Sequence, residues 1–358
     1  MLDNVQLKEI KDTYGSILHE LWVDNGTLRF SLIPERGLEI GQVFLKNTCM
    51  SWRRPDSFKL HPENVNLREE GWDKGFYSAV AVIGPEVFCT PDENVTVHGT
   101  GSYSISDINT LKVNVCGCII SIEVNVPIKG YQDKQIYQKK IMIQTKLFSN
   151  FIIRKEVSKN VSENTVTMDD GYHIQFSGEY LNDGGRYVLP TTADKMLLRD
   201  SAPVEEDPKV IYPLDESFEP IRCYQYVPEK VYGLNQGEGL EWIDFINQNP
   251  TNLTAEMLVN NNRSKGAIII RPLSSFPRTL IAKRNDGSPM YAIEPCKSRP
   301  NSLKQKAIDG ELQYLLPGEE RETQIAFGFL EEEASIRNFE KLIERAACYE
   351  EELVQAVP

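Results

Sequence analysis

The sequence contains no apolar run near the roughly 18 residues that a membrane-spanning helix needs. It has only four histidines among 358 residues, and they do not cluster with cysteines or carboxylates at the spacing of a metal site. Basic residues are also in deficit: 39 Lys and Arg face 52 Asp and Glu, for a net charge of −13. Such an excess of negative charge disfavours nucleic acid and anionic membranes as partners. A small, weakly charged ligand fits better, with neither metal nor organic cofactor.

The cysteine content excludes a disulfide framework. Seven cysteines are present, an odd number, at spacings that suggest no pairing. Cys116 and Cys118 lie in the apolar stretch CGCIISI, and we expect them to be reduced thiols in or near the core. The first residues are charged and lack the apolar segment of an export signal. These features predict a cytoplasmic protein.

Short strands separated by turn residues dominate the chain. The segment LHELWVDNGTLRFSLIP predicts a hairpin in which Asn25 and Gly26 form a type I′ turn. Many such strands with few helices between them indicate an all-β, antiparallel sandwich, and we expect one domain over residues 1–358. The acidic, proline-containing segment 192–220 is interpreted as a surface loop.

One helical pattern stands apart from the strands. Residues 331–353 carry an apolar stripe on one face and charges elsewhere, which is typical of a helix packed on the outside of a sandwich. The stripe consists of Ile336, Phe339, Leu342, Ile343 and Ala346.

Two early residues are candidates for ligand binding. Arg36 precedes Gly37 after a strand and a proline, and Trp52 begins the sequence Trp-Arg-Arg. A guanidinium fork and an aromatic face suit sugar hydroxyls and the C–H faces of a sugar ring. Ordinary strand-end residues would explain the same spacing equally well.

Histidines and a glutamate supply the candidate acid–base groups. In the strand DDGYHIQFSG, His173 and Gln175 face one way inside an apolar run, so both need water or hydrogen-bond partners. His98 precedes a glycine at a strand end, and Glu294 ends an apolar strand before a proline. Arg299 is the nearest basic residue to Glu294 in the sequence, and a structural ion pair between them is the alternative to a functional role.

Six short motifs, in this order, resemble those of the aldose 1-epimerase-like proteins, the galactose mutarotase superfamily, and in particular a branch of unknown specificity. The matching residues span positions 34 to 319. They are Arg36-Gly37-Leu38-Glu39-Ile40-Gly41, Trp52 with Pro55, His98-Gly99, Tyr172-His173 with Phe176 and Gly178, Glu294-Pro295-Cys296 with Arg299-Pro300, and Leu316-Pro317-Gly318-Glu319.

The resemblance implies a mutarotase supersandwich that binds a monosaccharide on a concave sheet face. It makes His173, in its protonated form, the general acid and Glu294 the general base, while Arg36 and His98 help to hold the sugar. Gln175, Trp52 and Arg299 are expected to contact the substrate. The sequence departs from the family where Gln175 replaces a usual asparagine.

Two other functions stay open at this stage. A non-catalytic carbohydrate-binding or sugar-sensing protein could share the fold. A sugar-phosphate epimerase would need a cationic pocket, for which Arg53, Arg54 or Arg186 are available.

Overall fold

The computed structural model describes residues 4–52, 59–67, 72–90, 96–130, 134–198, 206–213, 218–285 and 289–355. No helix in this described part of the chain is long and apolar enough to cross a membrane. Arg53 and Arg54 lie outside the described residues, as do parts of the segment 192–220.

Twenty-two strands are described. In chain order they are β1 Val5–Lys11, β2 Ile17–Asp24, β3 Leu28–Ile33, β4 Glu39–Leu45, β5 Thr48–Cys49, β6 Val80–Ile83, β7 Asp107–Cys116, β8 Ile119–Lys129, β9 Gln135–Lys146, β10 Phe151–Asn160, β11 Val166–Thr167, β12 Gly171–Ser177, β13 Gly185–Val188, β14 Leu197–Leu198, β15 Val210–Ile211, β16 Phe218–Tyr226, β17 Leu253–Asn260, β18 Gly266–Pro272, β19 Arg278–Asn285, β20 Met290–Cys296, β21 Tyr314–Leu315 and β22 Glu320–Leu330.

The helices are fewer and shorter, with one exception. The α-helices are α1 Asp244–Gln248, α2 Leu303–Ile308 and α3 Glu333–Gln355. Single 3₁₀ turns cover Pro34–Arg36, Pro62–Asn64, Trp72–Gly75, Gly101–Tyr103, Gly178–Leu181, Ala193–Lys195 and Leu234–Gln236.

The strands form two large sheets. The first, called the site sheet here, has eleven strands in the order β1-β2-β3-β4-β6-β12-β20-β19-β16-β14, with β5 paired to β4. The second, called the back sheet, has nine strands in the order β15-β13-β17-β18-β22-β10-β9-β8-β7. All described pairings within these sheets are antiparallel, so the predicted all-β sandwich is confirmed.

The main core lies between the two sheets. Alternation along β12 shows how the sequence builds it: Tyr172, Ile174 and Phe176 enter the core, while His173 and Gln175 occupy the opposite face. That opposite face of the site sheet carries the candidate site.

A smaller core holds helix α3 against the outer face of the back sheet. Ile336, Phe339, Ile343 and Ala346 are buried there with residues of β17, β18 and α1, and Leu342 packs at the margin. The predicted C-terminal helix and its apolar stripe are therefore confirmed.

Two local predictions are wrong. The hairpin between β2 and β3 forms, but its loop is not a type I′ turn, because only Gly26 has a positive φ, +91°. Asn25 is instead fully buried, and its side chain bonds Thr27, Leu28 and Thr145. Cys116 and Cys118 are exposed at the β7–β8 turn rather than near the core, because the turn places both at its tip.

Candidate functional site

The candidate site occupies the middle of the site sheet, where β6, β12 and β20 are neighbours. His173 of β12 pairs with Ala81 of β6, and Glu294 of β20 pairs with Leu280 of β19. Since these are central strands, hydrogen bonds on both sides hold the backbone of each functional residue in place. The strand spacing of about 4.8 Å brings the side chains of His173 and Glu294 into contact.

His173 Nε2 lies 3.3 Å from Glu294 Oε1. The two side chains are 10% and 2% exposed, so the contact is almost completely shielded from bulk water. An ion pair in such a place is strong only if the remaining polar atoms are also satisfied.

Gln175 provides the hydrogen-bond partner of the other ring nitrogen of His173, Nδ1. With its amide oriented to match its neighbours, the Gln175 side-chain oxygen accepts a hydrogen bond from His173 Nδ1 at 3.1 Å. The amide nitrogen lies 2.7 Å from the carbonyl oxygen of Ser78 and 2.9 Å from those of Ala79 and His173. Gln175, which the sequence predicts to contact the substrate, is only 1% exposed, and its amide holds His173.

The support for His173 continues into a buried ion pair. Glu39 accepts hydrogen bonds from the Ser78 hydroxyl at 2.6 Å, from the Val82 N–H at 3.1 Å and from the Ser102 hydroxyl. Arg36 Nε lies 3.8 Å from Glu39 Oε2. A polar chain therefore runs from Arg36 and Glu39 through Ser78 and Gln175 to His173.

Arg36, predicted to help hold the sugar, is enclosed by protein groups. Its side chain is fully buried; Nε donates to the Ser102 carbonyl at 2.6 Å, and the guanidinium carbon lies 4.1 Å from the ring centroid of Tyr103. A guanidinium so enclosed stabilises Glu39 and does not present a fork to a ligand. The motif Arg-Gly-Leu-Glu thus supports His173 through the buried polar chain described above.

An aromatic wall covers the His173 side of the site. The ring centroid of Phe76 lies 4.7 Å from that of His173, and Trp72 lies 4.6 Å from both Phe76 and His98. Trp72 belongs to the 3₁₀ turn Trp72–Gly75, and Phe76 follows it directly. Sequence reasoning missed both residues, although the two aromatics in GWDKGF were a usable signal.

His98 reaches this wall through an unusual backbone. It has a φ of +63°, and Gly99, which follows, has a φ of +66°. Such a conformation is costly for a residue with a Cβ and persists only where the surroundings hold it. Glu86 does so, because it accepts hydrogen bonds from the N–H and the hydroxyl of Thr100. The His98 ring centroid lies 6.2 Å from that of His173.

Electrostatics limit the charge on the imidazole. Burial, and secondly the neighbouring His98, lower the pKa of His173 well below its usual value. The Nδ1 atom of His173 carries a hydrogen, because it donates to Gln175. A hydrogen bond between Nε2 and Glu294 Oε1 therefore needs one further proton, on either of these two atoms. One proton shared by the two groups would satisfy this contact, and their titrations would then be coupled.

The remaining predicted residues lie around this centre. Arg299, predicted to contact the substrate, forms ion pairs with Glu311 and Asp309, at 2.5 and 3.1 Å, and not the structural pair with Glu294 that was the alternative. Trp52 is 6% exposed and packs behind Phe76, with ring centroids 5.6 Å apart.

Arg186 is not part of this arrangement. It pairs with Glu340 and Glu344 of helix α3, on the side of the back sheet.

Among the described residues, no group of three or more His, Cys, Asp or Glu side chains could hold a metal ion. The chemistry that this arrangement offers is proton transfer between a carboxyl group and an imidazole in a largely dry, aromatic-walled site.

Solved structures with the same fold cover nearly the whole chain. A Klebsiella pneumoniae protein, provisionally named an aldose 1-epimerase, superposes with a TM-score of 0.81 at 19% identity, over 96% of this chain and 87% of that one. A galactose mutarotase-like protein from Clostridium acetobutylicum gives 0.60 at 13% identity, over 92% and 99%. Another from Lactobacillus casei gives 0.53 at 11% identity, over 87% and 100%.

The fold is that of the galactose mutarotase-like proteins, as the sequence motifs predicted. No curated protein matches the chain. The model of the family described as "Domain of unknown function (DUF4432)" matches residues 17–329. The chain belongs to that family.

Proposed function

We propose that the protein is a mutarotase that interconverts the anomers of a free aldose by general acid–base catalysis. The observation that carries the proposal is the buried contact between His173 Nε2 and Glu294 Oε1, with His173 Nδ1 held by Gln175. A carboxyl group and an imidazole that share one proton are the two groups that opening a cyclic hemiacetal requires.

The proton balance closes over a full cycle. The sugar enters between the two side chains, with its anomeric hydroxyl at Glu294 and its ring oxygen at His173. The pair reacts in the form that carries its proton on His173: the Glu294 carboxylate takes the hydroxyl proton while the imidazolium Nε2–H protonates the ring oxygen, and the C1–O5 bond breaks. The open-chain aldehyde forms beside a neutral imidazole and a protonated Glu294. After rotation about the C1–C2 bond, the reverse transfers close the ring as the other anomer.

The pair holds one proton before, during and after this cycle. Each general catalyst of this kind typically contributes about 10²–10⁴ in rate. Neither a metal nor an organic cofactor takes part. In this proposal Trp72 and Phe76 offer apolar faces to the C–H groups of the sugar, and His98, whose ring lies against Trp72, holds a hydroxyl.

A non-catalytic sugar-binding protein is the second candidate, and one observation favours it. The acid and the base contact each other directly and are almost fully buried, so a sugar must separate them before either can act. A protein that only binds sugar would tolerate the same closed pair.

Exchange NMR on free aldoses distinguishes the two candidates. The mutarotase accelerates exchange between α and β signals of at least one aldose, in the presence of a chelator as well as in its absence. Methyl glycosides of the same sugars serve as the control, because their anomeric centre cannot open. Binding of a sugar without accelerated exchange over a broad panel would favour the second candidate.

The compartment and the domain organisation belong to the same proposal. None of the seven cysteines, all of which lie in the described part of the chain, forms a disulfide, which suits the reducing cytoplasm. A single main core lies between the sheets, which supports one domain over residues 1–358.

A further inference from the structure

Cys116 and Cys118 have no role in the proposed reaction, and packing does not account for their position. Both side chains are exposed at the turn between β7 and β8. A free cysteine is among the residue types most often buried, where it behaves as a small apolar side chain. An exposed cysteine contributes little packing and differs from a serine mainly in its sulfur chemistry. Two exposed thiols on one turn therefore need a chemical explanation.

The turn has two central residues, Gly117 and Cys118, because Cys116 pairs with Ile119 across it. Gly117 has a φ of +59°, in the left-handed region that favours glycine, whereas Cys118 keeps a negative φ. A positive φ at the first central position alone is typical of a type II′ hairpin turn. A Cβ atom added at Gly117 would meet no atom within 4 Å, so the tip of the turn is open to solvent.

Backbone hydrogen bonds hold this turn in place. The β7–β8 ladder closes its base, and the Leu147 N–H donates to the Cys118 carbonyl oxygen at 2.8 Å, which ties the turn to the end of β9. The Cα atoms of residues two positions apart are separated by at most about 7 Å, and a turn brings them closer together. Both thiols can therefore reach one small ion without a rearrangement of the backbone.

The two thiols select the kind of ion. Thiolate sulfur is a soft ligand and binds soft ions such as monovalent copper. A structural zinc ion takes four ligands, but no group of three or more His, Cys, Asp or Glu side chains in the described part of the chain could hold a metal ion. Monovalent copper binds two thiolates in a linear arrangement, so the two thiols of the turn are sufficient for it.

The nearby charge favours such a complex. Metal binding removes the proton of each thiol, and two thiolates around one monovalent ion carry a net charge of about −1. Lys146 of β9 lies in the same row as Cys116, since Ile119 pairs with Cys116 on one side and with Lys146 on the other. Two strand spacings, about 9.6 Å, separate their backbones. The ammonium group is thus within about one Debye length of the complex and attracts it.

We propose that Cys116 and Cys118 form a two-coordinate site for monovalent copper at the tip of the β7–β8 hairpin. Each Sγ loses its proton and forms one bond to the ion, so two thiols and one Cu(I) give a bis-thiolate complex and two protons. No electron is transferred. The hairpin lies at the edge of the back sheet, whereas His173 and Glu294 belong to the site sheet. The proposal is therefore independent of the mutarotase function.

The test is an anaerobic titration of the full chain with Cu(I) alone, in competition with a chromophoric copper chelator. We expect one ion per chain, with two sulfur neighbours in the X-ray absorption spectrum at the copper edge. Cys116→Ser and Cys118→Ser should each weaken binding at least about 100-fold, the low end of what a second tethered ligand contributes. Cys348→Ser, which removes another exposed thiol, is the matched control and should leave the affinity unchanged.

The serine variants change exposed side chains, so their circular dichroism should match that of wild type. Failure of wild type to compete with the chelator, wild-type affinity in either turn variant, or an equal loss in Cys348→Ser would overturn the inference. Zinc supplies a further test, because a single turn offers it too few ligands. Tight zinc binding at one ion per two chains, abolished by the same two variants, would replace the copper site with a four-thiolate site shared between two copies.

Discussion

The Nδ1 atom of His173 lies 3.1 Å from the side-chain oxygen of Gln175, two positions further along the same strand. Both residues face away from the core, so the glutamine oxygen can accept a hydrogen bond from Nδ1–H while its amide nitrogen donates to backbone carbonyls. The bond fixes the tautomer of the imidazole and directs Nε2 at Glu294. Gln175 is therefore a positioning residue.

Replacing Gln175 with leucine should lower kcat and leave KM for the sugar nearly unchanged. Partners that orient metal-bound histidines contribute about 10–100-fold to activity, and we expect a similar loss here. The measurement is exchange NMR over a range of sugar concentrations. The acid limb of the pH profile should also move to lower pH, because leucine cannot accept the hydrogen bond from Nδ1–H that stabilises the charged imidazole.

The control is Gln144→Leu, which replaces a half-buried glutamine of the back sheet and should keep full activity. A Gln175→Leu protein that folds, binds sugar and turns over as fast as wild type would mean that the amide only packs the strand.

The pH profile of kcat/KM should be bell-shaped, because the pair acts only with one proton. Adding a second proton makes His173 a cation beside a neutral Glu294. Burial and the neighbouring His98 oppose that cation, so the acid limb should lie well below the ordinary pKa of about 6.5. His98→Asn removes one of these causes and should move the acid limb upward while it weakens sugar binding. An acid limb that stays in place, or moves downward, would contradict the role of His98.

Stability at low pH should depend on the buried Glu156 of β10. Burial alone would raise the pKa of this carboxyl group, but Lys139 and Arg154 outweigh it and lower the pKa to about 2 from 4.5. The stabilisation is complete above the unfolded value and is lost as the pH falls towards the folded value. It amounts to about 3 kcal/mol, of which about 2 kcal/mol disappears between pH 4.5 and pH 3.

Urea unfolding at several pH values measures this loss. Glu156→Gln should be less stable than wild type at pH 7, and its stability should fall less steeply between pH 4.5 and pH 3. Parallel pH dependence of the two proteins would show that Glu156 does not bind protons differently in the folded and unfolded states.

Calorimetric unfolding at pH 7 should show one cooperative transition, because both sheets contribute to the same main core. The calorimetric and van't Hoff enthalpies should agree. Two separable transitions would indicate two domains within residues 1–358.

Regular patterns in the sequence were enough to predict the faces of strand β12 and the position of helix α3. The two-residue period placed His173 and Gln175 on the face opposite Tyr172 and Ile174, and the apolar stripe located helix α3. The order of the motifs predicted that His173 and Glu294 share a site. The two residues are remote in the chain but lie on neighbouring strands, and their side chains are in contact.

The partner of each polar side chain could not be predicted, because it depends on strand order and loop paths. Arg36 seemed available to a ligand but is enclosed by Tyr103 and Glu39. Arg299 is close to Glu294 in sequence, yet its guanidinium forms an ion pair with Glu311. Trp72 reaches the site only through the path of a 3₁₀ turn.

The most direct test of the shared-proton pair is exchange NMR on Glu294→Gln and His173→Asn beside wild type, with the best aldose of the panel. The amide of Glu294→Gln keeps the shape and the hydrogen bond but cannot accept a proton near neutral pH. We expect each variant to lose at least about 10²-fold in kcat, the lower bound for a general catalyst, with sugar affinity retained. Full activity in Glu294→Gln would contradict the account and make the His173–Glu294 contact purely structural.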